Sequence, residues 1–217
     1  MLKAIFFDMD GVWADSLEPG LERMIAESAK HGKKISASPE DVRQQGIMAL
    51  LKQNDLPLWK GLWYFKNVQE EMARTHAYRE IKPIEGMIKL LLEIRDGCKI
   101  GIVTSNLRGN VDDFLSAHSL EVDYIYTRAL PLNIPFFGKP YKLERGRKAS
   151  GARKEEVLFI GDELPDHRAA IINGIPFVAY AGPGSYTTGK VFAERNVPQD
   201  YIVESPSELQ RTILMRK

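Results

Sequence analysis

The chain has one cysteine, Cys98, in 217 residues, so no internal disulfide can form and a reducing, cytoplasmic setting is expected. Net charge is nearly absent as well: 30 Lys and Arg stand against 29 Asp and Glu, leaving +1 at pH 7. That balance supplies no general attraction to nucleic acid or to an anionic membrane surface. Long apolar runs are also missing. Stretches such as Leu90-Leu91-Leu92 fall far short of the ~20 residues a membrane-spanning helix needs. The first apolar run stops at Asp8 after four residues, too short for a signal-peptide core. No internal repeat or low-complexity tract is present. The length suits one sizeable core, with room for a small second lobe.

The most informative feature lies close to the start. Ala4-Ile5-Phe6-Phe7 is short, aromatic and β-branched, and reads as a buried strand. Asp8-Met9-Asp10-Gly11-Val12 follows where that strand should end, with a glycine that allows a sharp turn. In open α/β sheets, ligands bind at the carboxyl ends of strands. Two carboxylates there are costly to desolvate unless a metal or a substrate cation compensates them. Asp-x-Asp-Gly alone also fits a calcium loop or an ordinary turn.

From about residue 17 to 80 the pattern is helical throughout, with breaks expected at Gly20, Gly32, Pro39 and Pro57. Ser38-Pro39-Glu40-Asp41 has the form of a helix start: a serine cap, proline in the first turn and acids at the positive end. Trp59, Leu62, Trp63 and Val68 have roughly helical spacing and are expected to pack between helices. From Pro83 strands and helices alternate. Strands are expected at 99–103, 124–126, 157–160, 176–180 and 201–203, with helices at 85–93, 111–117, 142–150, around Ala169-Ala170 and at 205–215. Such alternation implies a parallel sheet covered on both faces.

Three expected strands therefore run into polar groups: Asp8 with Asp10, Thr104-Ser105-Asn106, and Asp162 with Asp166. Lys139 precedes the helix leading to the 157–160 strand. Taken singly, each has an ordinary explanation as a turn former or a surface charge. In this order and beside these elements, they resemble the haloacid dehalogenase superfamily. Phe6-Phe7-Asp8-Met9-Asp10-Gly11-Val12 with Asp15-Ser16 is similar to its first motif, and Ile100-Gly101-Ile102-Val103-Thr104-Ser105-Asn106 to its second. Gly138-Lys139-Pro140 is similar to the third, and Phe159 through Asp166 to the fourth. Pro83-Ile84-Glu85-Gly86, just before the second motif, resembles the branch whose helical cap lies between motifs one and two, where phosphoglycolate-phosphatase-like enzymes belong.

The resemblance implies a three-layer, Rossmann-like parallel sheet core at 1–16 and 82–217, with an inserted α-helical cap at 17–81. It also implies a phosphohydrolase of a small phosphorylated metabolite, with phosphoglycolate as the first expected substrate. Asp8 would attack phosphorus and form an aspartyl-phosphate. Asp10 would act as acid and then base. Mg²⁺ would be held by Asp8, the Asp10 carbonyl and Asp162. Thr104, Ser105, Asn106 and Lys139 would hold the phosphate. Asp166 would orient Lys139 or the metal's waters, and Glu163 would either support the metal site from behind its ligands or, as the favoured reading, be a helix-start acid. The expected partner is a small-molecule phosphate ester, with no nucleic acid or membrane, and the chain is expected as a monomer or homodimer.

Departures from the family pattern are few. Val12 replaces a frequent threonine, and Lys142 stands where a second proline often follows Lys-Pro. A sugar-phosphate mutase of the β-phosphoglucomutase type carries a histidine at the position that is Gly20 here, which argues against that alternative. Asp10 argues against a dehalogenase. A catalytically inactive regulatory protein on the same fold is the remaining alternative. Among cap residues, Arg43, Gln45, Lys52, Lys60, His76 and Arg79 are candidates to select the substrate, with Arg43 and Lys60 as cations for its organic half.

Overall fold

The structure is a computed structural model that describes residues 1–128 and 138–216, Met48 by its backbone. Six parallel strands form one sheet in the order β3-β2-β1-β4-β5-β6. They are β1 Ala4–Phe7, β2 Lys99–Val103, β3 Tyr124–Tyr126, β4 Val157–Gly161, β5 Phe177–Tyr180 and β6 Ile202–Val203. The chain starts in the middle of this sheet and builds outward in both directions. Strand order therefore reverses at β1, and the crevice beyond β1, β2 and β4 is the switch point where such sheets bind ligands.

Alternation along β1 places Ile5 and Phe7 in one apolar layer and Ala4 and Phe6 in the other, all four fully buried. A strand covered on both faces reads as an unbroken apolar run, which is why 4–7 was legible as sequence. On one side, Phe6 packs with Leu143 of α7 (Lys139–Ala149) and Ala169 and Ala170 of α8 (Leu164–Asn173). On the other, Ile5 and Phe7 join α5 (Met87–Ile94), α6 (Arg108–Ala117) and α10 (Pro206–Leu214). A short helix α9 (Gly189–Glu194) covers the β5–β6 edge.

Between β1 and α5 lie four helices: α1 Leu17–Lys30, α2 Pro39–Gln45, α3 Ile47–Gln53 and α4 Leu58–Arg74. Helix α2 begins where expected, with the Ser38 Oγ accepting from the Asp41 N–H at 3.2 Å and the Asp41 carboxylate accepting from the Ser38 N–H at 2.7 Å. Two expectations change. Helix α1 runs through Gly20, because Leu17, Leu21 and Met24 bury one stripe whose packing outweighs the ~1 kcal/mol that glycine costs a helix. In α4 the buried stripe is Gly61, Tyr64, Val68 and Met72. That phase turns Trp59 outward at 68% exposure and leaves Trp63 at the rim, its ring against His31. Lys139 opens α7, with Pro140 beside it in the first turn, where a missing N–H costs nothing.

Candidate active site

The sheet register sets the site. Phe7 pairs with Ile102 on one side and Ile160 on the other, so the next residues beyond β1, β2 and β4 converge. Asp8, Thr104 and Asp162 thereby come together, at 3%, 1% and 0% exposure. Two glycines make the approach feasible. Gly11 has φ of +73°, and a Cβ there would lie 1.9 Å from the Asp162 Oδ2. A Cβ on Gly161 would meet Asp166 at 2.5 Å. Any larger residue at either place would displace a carboxylate.

Lys139 is buried between two of these acids. Its Nζ donates to the Asp8 Oδ2 at 2.6 Å and is also paired with the Asp166 Oδ1. Burial opposes the ammonium charge, but Asp166 and Asp8 outweigh it and hold the Lys139 pKa above its ordinary value. Asp166 is thus placed as a lysine partner, and its Oδ2 accepts the Glu163 N–H at 3.1 Å. Glu163 itself precedes α8 as its N-cap and lines the cavity above. Burial and then crowding by neighbouring carboxylates push Asp162 well above the usual range. Burial likewise raises Glu163 to about 8 and Asp166 to about 7, although Lys139 pulls both down.

Such crowding is what a bound cation would relieve. Among the described residues, the carboxylates of Asp8, Asp162 and Asp166 lie within 4.8 Å of one another. The Asp162 Oδ2 accepts the Tyr186 N–H at 2.7 Å, whereas its Oδ1 is buried with no partner. A hard-oxygen set with one orphaned carboxylate oxygen fits Mg²⁺. The carboxylate of Asp10 points elsewhere, so Asp10 could serve a metal only through its backbone carbonyl.

Asp10 is held by three donors. The Ser16 Oγ and Tyr78 Oη reach its Oδ1 at 2.7 and 2.5 Å, and the Asn106 Nδ2 reaches its Oδ2 at 2.8 Å. Burial first, and the Asp8 charge second, raise its pKa despite those bonds. A carboxyl biased toward its protonated form beside a second carboxylate is poised to give a proton. Asn106 was expected on the phosphate; its amide is instead committed to Asp10 and to the Tyr78 Oη, 2.5 Å away, though the residue still borders the cavity. Tyr78 and Tyr186 were missed. They carry no local pattern, and only the fold brings a turn at Ala77–Arg79 and the segment after β5 onto Asp10 and Asp162. Replacing Tyr78 by Phe should lower kcat about tenfold through a misplaced Asp10, with KM little changed, as steady-state kinetics would read. An unaltered kcat would remove Tyr78 from that role.

Lys142 also differs from expectation. It lies within α7, and its Nζ donates to the Thr104 carbonyl, bracing the turn after β2. Burial, then Lys139, push its pKa down to about 8.

Above the aspartates lies a cavity of about 80 Å³ whose upper wall comes from α1, α2, α4 and, through Ile47, α3. Thr104, Ser105, Asn106 and Glu163 border its polar floor. None of Arg43, Gln45, Lys52, Lys60, His76 and Arg79 lines it. Arg43 instead donates from Nη2 to the Ala181 and Gly182 carbonyls at 3.3 Å, tying α2 to the segment after β5. His76 and Arg79 both pair with Asp113 of α6, at 2.9 Å. Both side chains already serve the contact between the Ala77–Arg79 turn and α6. Gly20 does line the cavity, so the position of a mutase histidine carries no proton-transferring side chain.

An open parallel sheet with a buried lysine between acids at its switch point makes this a Rossmann-like α/β protein with a catalytic type of strand-end site. The sequence model of the haloacid dehalogenase-like hydrolases matches residues 5–180, and the chain belongs to that family. Solved structures share the fold over nearly the whole length. A predicted phosphatase from Clostridium acetobutylicum superposes with a TM-score of 0.82 at 17% identity, covering 99% of both chains. A predicted phosphoglycolate phosphatase from Haemophilus somnus 129pt gives 0.70 at 16% identity, covering 98% of both. CbbY from Rhodobacter sphaeroides, solved in complex with phosphate, gives 0.69 at 21% identity over 96% of both. No curated protein matches the sequence.

Proposed function

We propose that the protein is a Mg²⁺-dependent phosphatase of a small phosphorylated metabolite, working through an aspartyl-phosphate at Asp8. The observation that carries this reading is the buried Lys139 bridging Asp8 and Asp166 directly below a cavity that Asp8 and Asp10 both enter. Phosphate monoesters are among the slowest substrates to hydrolyse, and enzymes accelerate them by up to ~10²¹. Most of that comes from positioning and charge neutralisation.

Asp8 has one oxygen held by Lys139 and the other by the Met9 N–H at 2.8 Å, which fixes the carboxylate plane before the ester arrives. It attacks phosphorus, forms the acyl-phosphate bond and breaks the bond to the leaving alkoxide. Asp10 gives that alkoxide its proton. The same carboxylate then takes a proton from water as the water attacks the phosphoryl group, returning Asp8 and releasing phosphate. The Thr104 hydroxyl and the Ser105 N–H serve the phosphoryl oxygens, and Lys139 offsets the charge drawn toward Asp8. Bound Mg²⁺, held by Asp8, Asp162 and the Asp10 carbonyl, would neutralise phosphate charge. Residues 17–81 act in this reading as a cap that excludes water from the site. The likeness to a predicted phosphoglycolate phosphatase makes phosphoglycolate the reference substrate.

Rapid acid quench during turnover, followed by mass spectrometry, tests the covalent step. A phosphoryl group is expected on the peptide containing Asp8. Single-turnover hydrolysis with no phosphorylated peptide at any time point would refute the covalent route.

A further inference from the structure

The upper wall of the cavity is apolar wherever a substrate's organic half would lie. Leu21 and Met24 of α1, Val42 of α2 and Phe65, Val68 and Met72 of α4 all line it. Among the described residues bordering the cavity there is no lysine, arginine or histidine. Two of the cap's cations are used elsewhere: Arg43 binds backbone carbonyls after β5, and Arg79 pairs with Asp113. Amid this wall sits one polar group of another kind. Gln69 of α4 is 5% exposed, lines the cavity, and its Oε1 is buried without a hydrogen-bond partner.

We infer that the ester's organic half is a compact, apolar alcohol bearing a single hydrogen-bond donor that Gln69 accepts. The inference rests on the phosphatase reading above and narrows its substrate class. A carboxylate placed against this wall would lose its hydration with no cation to replace it. A sugar would strand several hydroxyls without partners. An aliphatic chain of four or five carbons gains instead with every CH₂ it buries. One hydroxyl or N–H on that chain would complete Gln69, whose empty acceptor otherwise costs stability in the closed pocket.

The test is hydrolysis by the full chain with Mg²⁺ of four groups of esters: 3-methylbutyl phosphate, singly hydroxylated five-carbon phosphates, phosphoglycolate and glucose 6-phosphate. The five-carbon esters should exceed phosphoglycolate and glucose 6-phosphate in kcat/KM by about tenfold or more. The best hydroxylated member should exceed 3-methylbutyl phosphate, and Gln69→Leu should erase that margin. Phe65→Arg, at a half-buried position that tolerates a long side chain, should shift preference toward phosphoglycolate by about tenfold. Equal or better turnover of phosphoglycolate or glucose 6-phosphate by wild type overturns the inference and leaves the phosphatase reading intact. An unchanged ester ratio in folded Phe65→Arg places the organic group away from α4 and overturns it too. If none of the esters is hydrolysed, the phosphatase reading fails and this inference falls with it.

Discussion

Replacing Asp8 by Asn is expected to lower kcat by about four orders of magnitude or more while the protein stays folded. The amide keeps the shape and can still accept from the Met9 N–H, so local packing survives. What is lost in the proposed reading is the nucleophile, since among the described residues no other carboxylate is both held by Lys139 and exposed to the cavity floor. The effect on stability has the opposite sign to the one usually seen when a buried ion pair is cut. Asp8 is one of the charges that raise the pKa of Asp10, Asp162, Glu163 and Asp166, so its neutralisation relieves crowding on four other carboxyls. Lys139 retains Asp166 as its partner. Thermal unfolding of the metal-free variant should therefore occur at or above the wild-type temperature. A variant that hydrolyses esters near the wild-type rate would remove Asp8 from the nucleophile's role.

The second large effect is that of metal removal, and it is readable without substrate. In the unfolded chain, carboxyls release their protons near pH 4. In the folded, metal-free protein, burial keeps protons on Asp166 up to about pH 7 and on Glu163 up to about pH 8, with Asp162 and Asp10 shifted in the same direction. Between those limits the folded state binds more protons than the unfolded one. Stability must then fall as pH rises from about 5 to about 8. Lys139 stays charged in both states across this window and adds no slope. Glu156, held down at about 2 by its bonds to Arg153, acts in the opposite sense below the window, while His167, lowered by burial, and Lys142, pushed down to about 8, oppose the trend within it but are outnumbered by the four raised carboxyls. In the proposed reading Mg²⁺ binds the ionised cluster, so it should flatten the decline and raise the unfolding temperature most at high pH. At a hundredfold excess over Kd the gain is about 2.7 kcal/mol, or roughly 5–10 °C for a chain of this size. Calorimetry with and without chelator, at pH 5 and pH 8, measures it. Activity should vanish in chelator, and Ca²⁺ should restore it poorly because it prefers looser, higher coordination. Equal unfolding temperatures at pH 8 with and without Mg²⁺ would remove the metal from this cluster.

The sequence by itself determined the sheet and most of its polar edge. Residues 4–7, 100–103 and 157–161 carry no charged side chain because each run is buried on both faces, and a period-free run bounded by turn residues is legible locally. Asp8, Thr104 and Asp162 were legible for the same reason, since each follows directly on its strand. Lys139 required motif order, because nothing about a lone lysine foretells that its ammonium will be buried between two acids. The phase of α4 was decided only by tertiary structure. Tyr64, Val68 and Met72 and the pair Trp59 and Trp63 are equally apolar alternatives for the inner face, and contact with α1 and the sheet selects the first set. The partners of Asp10 were also set by tertiary structure, with Ser16, Tyr78 and Asn106 drawn from three segments that meet only after folding. Charge in the cap was the feature least legible of all. A cation such as Arg43 looks alike in sequence whether it faces substrate or backbone carbonyls, because its partner lies 138 residues away in the chain. Only the folded chain spends that charge on the β5 segment and leaves the cavity wall to Leu21, Val68 and Met72.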